Sequence, residues 1–279
     1  MFGHSSRKIA HRAIMSAWAL KAAAMAPRII VYRPNQSDVR SGAFRERLRM
    51  HLEWIKDQGF QGICINESAS IIEARSIRSA RIVAIAFHIP GGSAWGDSIV
   101  PLLQEMGFGA TFFIATGLVS GNSIPNTAPA FLRADENAPP GPAWLRLLSQ
   151  MGMEVGVCGS ACRFPSRRRD GSTEVFLQEV IGVKHKLEDM IGQPIRSYAY
   201  HWCTPGCWSR LTRQWVMRIG FASAVTSNWN RLNDHSDLYS LPSCEIAISD
   251  TQSDFIGKMT GKRDYLRYLS PDELNKHSF

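Results

Sequence analysis

The chain has no long apolar run, few cysteines for its length and no acidic residue in its first 37 positions. Each absence removes or weakens a class of protein. No stretch offers the roughly 18 consecutive apolar residues that a membrane-spanning helix takes. The run AIMSAWALKAAAMA, Ala13 to Ala26, is too short and is interrupted by Lys21, so it reads as an amphipathic helix ahead of a poor secretory segment. Six cysteines in 279 residues do not make a disulfide scaffold. The acid-free start carries Arg7, Lys8, Arg12, Lys21, Arg28 and Arg33, a composition that resembles a targeting segment. The net charge of +8 is scattered, with its densest cluster at Arg167-Arg168-Arg169. A nucleic-acid interface needs basic residues interleaved with aromatics on one face, and no such module is present.

What the chain does have is a regular alternation of short apolar runs and amphipathic stretches. With 44% hydrophobic and 20% charged residues it can bury the core of one large domain, or at most two small ones. RIIVY (Arg28 to Tyr32), GICI (Gly62 to Ile65), RIVAIAF (Arg81 to Phe87) and ATFFIA (Ala110 to Ala115) predict strands. So do the stretches from Met153 to Val157, Arg196 to Tyr200 and Phe221 to Val225. Between them, the apolar spacing of Phe44, Leu48, Leu52 and Ile55 predicts a helix closed by Gly59. Further helices are predicted over Asp97 to Met106, Trp144 to Met151, Ser172 to Ile191 with Gly192 beyond its end, and Ser209 to Ile219. A Pro/Gly/Asn-rich connection from Gly117 to Pro142 reads as a long loop over the working face, because the alternation resumes after it. Strands separated by helices imply a parallel α/β sheet or barrel. Working residues in such folds sit at the carboxyl ends of strands, which selects the positions after Phe87, Val157 and Tyr200, and those near Leu241.

Taken in order, these places resemble the polysaccharide deacetylases, the carbohydrate esterase group with nodulation chitooligosaccharide deacetylase homology. LLQEMGFGATFFIATG (Leu102 to Gly117) is similar to the family's helix, glycine turn and following strand. GMEVG (Gly152 to Gly156), KHKLEDMIGQPIRSYAY (Lys184 to Tyr200) and LYSLPSCEI, which contains Leu241, resemble the approaches to its later motifs. The opening VYRPN and the helix after it resemble the entry segment of exported members that act on poly-N-acetylglucosamine. The resemblance implies a distorted, incomplete (β/α) barrel with one open groove for a sugar chain. It divides the chain into a basic N-terminal segment (1–27), a deacetylase-like domain (28–250) and a C-terminal tail or helix (251–279).

The resemblance also implies a chemistry, and the residues depart from it. Family members hydrolyse an acetyl group with a divalent metal held by one Asp and two His, while a second Asp acts as base. The family's Thr-Phe-Asp-Asp-Gly falls on Ala86-Phe87-His88-Ile89-Pro90. His88 stands at the base position, where an imidazole can still move a proton. Ile89 stands at the metal-binding Asp position and has no donor atom. The His-x-x-x-His motif falls on Cys158 and Cys162. The third motif becomes Tyr200-His201-Trp202-Cys203, followed by Cys207, and Ser243 replaces an Arg that usually orients the base.

Three readings follow. In the first, a degenerate deacetylase binds an N-acetylated oligosaccharide or polysaccharide without standard metal-dependent deacetylation, with Tyr200, Trp202 and Leu241 lining its groove. In the second, an active hydrolase of C–N bonds in acetylated sugars uses a rebuilt site, with Cys158 and Cys162 binding zinc or iron helped by His88, His201, Cys203 or Cys207. In the third, a closed cysteine metal site serves a non-enzymatic structural or partner-binding protein, the small thiols otherwise being core filler. Disulfides between the two Cys-x-x-x-Cys pairs fit export. The compartment stays open between cytoplasm, which the sequence slightly favours, and export or a membrane periphery. The oligomeric state is likewise open.

Overall fold

The structure, a computed structural model, describes residues 25–34, 38–39, 42–89, 94–115, 142–159, 172–200, 208–262 and 264, with the backbone alone described over 94–98 and 172–176. Among the described residues eight strands form one sheet: β1 (Arg28–Tyr32), β2 (Gln61–Ile63), β3 (Ile82–Ile89), β4 (Thr111–Ala115), β5 (Glu154–Cys158), β6 (Ser197–Ala199), β7 (Ser223–Val225) and β8 (Cys244–Ile246). Their order is β7-β6-β5-β4-β3-β1-β8, with β2 also paired to β3, and each of these pairings is parallel. The segment Leu241 to Ile246 touches both ends of that order. Leu241 bridges Val225 at one edge, and Cys244 to Ile246 pair with β1 at the other. The sheet is therefore curled into a distorted, incomplete (β/α) barrel.

Most of the helices cover its outside, as parallel connections require, while Ile65 and Ile72 of the helix over 65–73 pack with the interior residues. They are α1 (Ala43–Asp57), α2 (Ile65–Glu73), α3 (Ala94–Met106), α4 (Pro142–Gln150), α5 (Ser172–Ile191), α6 (Arg210–Ile219) and α7 (Gln252–Met259). Strand side chains alternate between two cores. Ile30, Tyr32, Ile85, Phe87, Phe112, Ile114, Val157 and Tyr198 pack toward the helices with Leu48, Leu52, Leu103, Val183 and Leu187. Ile29, Val31, Ala84, Ala86, Phe113, Ala199 and Val225 fill the barrel interior. Burial on both faces explains why β1, β3 and β4 are near-continuous apolar runs rather than polar/apolar alternations.

Two local expectations change. The run Gly62 to Ile65 is not wholly a strand, because β2 stops at Ile63 and Ile65 opens α2, a helix the sequence pattern missed. The orphan amides of its first turn are satisfied from the sheet: Ile65 N–H donates to Thr111 Oγ1 at 2.8 Å and Asn66 N–H to Glu154 Oε2 at 3.0 Å. β3 does not end at Phe87 but continues through His88 and Ile89, whose register partners are Phe113 and Ile114. Beyond residue 250 the chain packs into the same body, with Phe255 and Met259 of α7 fully buried in the helix-side core. Asp264 is buried against Arg28 and Arg231 at 2.8 Å each.

Candidate functional site

The candidate site is the carboxyl end of the strands, where register brings the expected residues to one level. Ala115 pairs with Cys158, Cys158 with Ala199, Ala199 with Val225, and Val225 with Leu241. These five make one row across four strands and the closing segment. Each is at most 6% exposed, so the row is buried and apolar. Cys158 has the environment of a small hydrophobe, packed with Phe113, Ala199, Val225 and Leu241, and its Sγ–H donates to the Gly159 carbonyl at 3.5 Å. A Cβ at Gly159 would collide with the Tyr198 hydroxyl, so a larger residue there would have to displace that buried side chain.

His88 also faces the barrel interior, 6% exposed and tilted against the Phe113 ring at 5.7 Å between centroids. It lies one inward-facing layer below Cys158 and two strands away, a Cα separation on the order of 10 Å by standard sheet spacings. Ile89, one residue on, turns the other way. It is 1% exposed in the helix-side core, so the position aligned with the metal-binding carboxylate is spent on core packing.

Below this row Gly156 gives Phe113 its place, since a Cβ there would stand 2.6 Å from that ring. At the amino ends of the strands Glu154 accepts from Ser197 Oγ and Thr111 Oγ1, both at 2.5 Å. Burial raises its pKa and these hydrogen bonds hold it back, so Glu154 anchors α2 to the sheet on the side remote from the groove. Cys64 nearby is pushed up to about 12, chiefly by burial, and is an inert thiol.

Tyr200, expected to line the groove, is 2% exposed and packs edge-on to Tyr198 on the helix side. Its hydroxyl donates to the Tyr239 carbonyl at 2.9 Å, and burial raises its pKa. Leu241 is wholly buried: its N–H donates to Ala224 O at 2.9 Å and its carbonyl accepts from Thr226 N–H at 2.8 Å. In these positions both are packed into the body, Tyr200 in the helix-side core and Leu241 in the interior, instead of lining a surface. Ser243, at the family's Arg position, is buried and donates to Thr226 O at 2.7 Å, tightening the same closure.

A further brace had no local sequence signal. Arg213 in the first turn of α6 makes a forked pair with Asp237, at 2.7 and 2.9 Å, and its guanidinium lies over the Tyr239 ring at 5.6 Å. The hydrogen bond to Asp237 raises the Arg213 pKa. Burial opposes ionisation of Asp237, but Arg213, the Tyr239 N–H and the Ser240 hydroxyl outweigh it and hold its carboxyl low. The partners are 24 residues apart, so only the fold joins them.

The family's metal takes an Asp and two His, and the described residues do not fit it. Ile89 offers no donor, Cys158 replaces one imidazole, and His88 is the other candidate donor at this end. Among the described residues no group of three His, Cys, Asp or Glu is placed to hold a metal ion. Cys162, His201, Trp202, Cys203 and Cys207, the predicted loop over 117–141 and the basic N-terminal segment up to residue 24 lie outside the described residues, while Pro142, expected to end that loop, opens α4.

A curled parallel sheet flanked by helices is the fold of the polysaccharide deacetylases. The comparison with solved structures bears this out at low identity. The Streptococcus pyogenes deacetylase PplD, in complex with acetate, is 16% identical with a TM-score of 0.60, covering 84% of this chain and 97% of that one. IcaB from Ammonifex degensii is 14% identical with a TM-score of 0.60, covering 86% and 98%. The de-N-acetylase from Aggregatibacter actinomycetemcomitans is 11% identical with a TM-score of 0.59, covering 84% and 98%. No family model and no curated protein matches the sequence.

Proposed function

We propose that this protein is a deacetylase-like glycan-binding protein. It takes an N-acetylated oligosaccharide in the groove at the carboxyl end of the barrel and does not carry out the family's standard metal-dependent deacetylation. The observation that carries the reading is Ile89. Two independent losses coincide there: the side chain has no donor, and it is turned into the helix-side core by the continued pairing of β3 with β4. A metal ligand cannot be recovered by a rotamer change at a residue that faces the wrong layer. The buried apolar row around Cys158 supports the loss of catalysis, since it offers a developing oxyanion no charged donor. His88 is the described residue at this end able to move a proton.

The test pairs binding with turnover. Titration calorimetry with chitopentaose is expected to give saturable binding, and acetate release from the same oligomer is expected to match the buffer rate with or without added zinc. Acetate release that a His88→Ala substitution abolishes would refute the proposal. So would near-stoichiometric zinc or iron in reduced protein, lost in a Cys158→Ser, Cys162→Ser variant.

A further inference from the structure

The helix α7 is short and is held to the body by one apolar face. It reads QSDFIGKM, with Phe255 and Met259 one turn apart, both wholly buried, and Gly257 between them. Eight residues with an internal glycine do not make a stable helix in water, so α7 keeps its form only while docked. Its docking partner is α1. Phe255 stacks on His51 at 3.9 Å between ring centroids, 9° from parallel, and meets Trp54 edge-on at 5.7 Å. A polar tie comes from Lys258, which donates to the Glu245 carbonyl of β8 at 2.9 Å and pairs with Asp250. β8 on one side of α7 and the Asp264 ion pairs on the other hold both ends of the segment.

At the centre of this contact stands a histidine with no place for a second proton. Tyr32 of β1 occupies His51 Nδ1, while Nε2 is buried without a partner. The charged groups acting on the ring are Arg47 from α1 and Lys258 from α7, both cations. From β1 the titratable neighbour is Tyr32, which burial keeps neutral, and the carboxylate that acts on Tyr32, Asp250, is met by Lys258. A proton on His51 therefore adds a third positive charge to an apolar stack, and the strain is relieved only where the ring meets water. β1 cannot give way, since it is paired with β3 on one side and β8 on the other. α1 would carry Phe44, Leu48, Leu52 and Ile55 out of the core with it. α7 gives up only Phe255 and Met259 as fully buried large side chains, so it is the element that moves.

We propose that α7 is an acid-released strap, undocked from α1 by protonation of His51 while the sheet stays folded. Above pH 6.5 the imidazole is neutral whether α7 is docked or released, and docking is at its strongest. Below that pH the released form binds a proton that the docked form refuses, so release grows as pH falls. The device is independent of what the groove binds.

Hydrogen exchange of the full chain, read by mass spectrometry at pH 6.5 and pH 5.0 and corrected for intrinsic exchange, tests it in a window above the usual carboxylate range. In wild type the protection of residues 252–259 is expected to fall about thirtyfold across this window, the ratio that one refused proton gives. At both pH values β4 should stay far better protected than residues 252–259. In His51→Gln the protection of 252–259 should change by less than about threefold. Protection of 252–259 that is insensitive to pH in wild type would overturn the proposal, as would an equal fall in His51→Gln. So would one shared protection factor for 252–259 and β4 falling in step, because His51 would then gain its proton only on global unfolding. The wild-type comparison of the two segments decides the matter by itself if His51→Gln does not fold.

Discussion

Acidification should unfold this protein through one histidine, and the size of the effect can be worked from its surroundings. His51 on α1 is 1% exposed, stacked on Phe255 at 3.9 Å between ring centroids, and hydrogen-bonded through Nδ1 to the Tyr32 hydroxyl at 3.1 Å. Its Nε2 is buried with no partner. Burial first, then the charges of Arg47 and Lys258, lower its pKa from 6.5 to about 3. The sign follows from proton counting. Above pH 6.5 the imidazole is neutral in both folded and unfolded chains and pH has no effect through it. Between 6.5 and about 3 the unfolded chain binds a proton that the folded chain refuses, so stability falls by about 1.4 kcal/mol per pH unit. From pH 6.5 to 4.5 the loss is about 3 kcal/mol, a large part of the stability of a marginal fold. The assay is urea unfolding at pH 7 and pH 4.5 for wild type and His51→Gln, which keeps a polar partner for Tyr32 but cannot titrate. The difference between the two pH values should be about 3 kcal/mol larger in wild type, with other titrating groups cancelling. Equal pH dependence in the two proteins would refute the reasoning.

Two further outcomes are expected. Asp264→Asn removes the carboxylate that neutralises Arg28, which is 0% exposed with Nε and Nη1 already lacking partners, and loosens Arg231. It should cost about 3–5 kcal/mol in denaturant unfolding, as breaking one side of a buried ion pair does. Gly156→Ala brings a Cβ to within 2.6 Å of the Phe113 ring and 3.0 Å of the Ser197 carbonyl. It should cost about 1–3 kcal/mol, read as a melting temperature lower by several degrees.

Much of the scaffold is legible along the chain. RIIVY is a strand over the residues its β-branched run marks, and α5 runs Ser172–Ile191 up to the glycine that punctuates it. Such signals are local: strand runs, helical periodicity and glycine stops act over a few residues. The replaced motif residues are equally legible as letters. Their roles are not. Cys158 reads as a metal ligand or as filler until its row neighbours are known, and those come from β4, β6 and β7. Tyr200 reads as a sugar platform, yet alternation along β6 turns it to the helix layer, where a carbonyl 39 residues on takes its hydroxyl.

The sequence by itself determined an alternating strand and helix order, the resemblance to the polysaccharide deacetylases and the loss of the carboxylates at His88 and Ile89. The tertiary structure decided which face each of these residues serves. GICI becomes a strand and then a helix start because Glu154, 88 residues from Asn66, receives the amide that the helix leaves open. Ile89 joins the outer core because β3 continues pairing with β4 past the point where a catalytic turn was expected. Both outcomes depend on register between distant strands. Register is set by the whole buried surface at once, whereas propensity and pattern speak for only a few residues at a time.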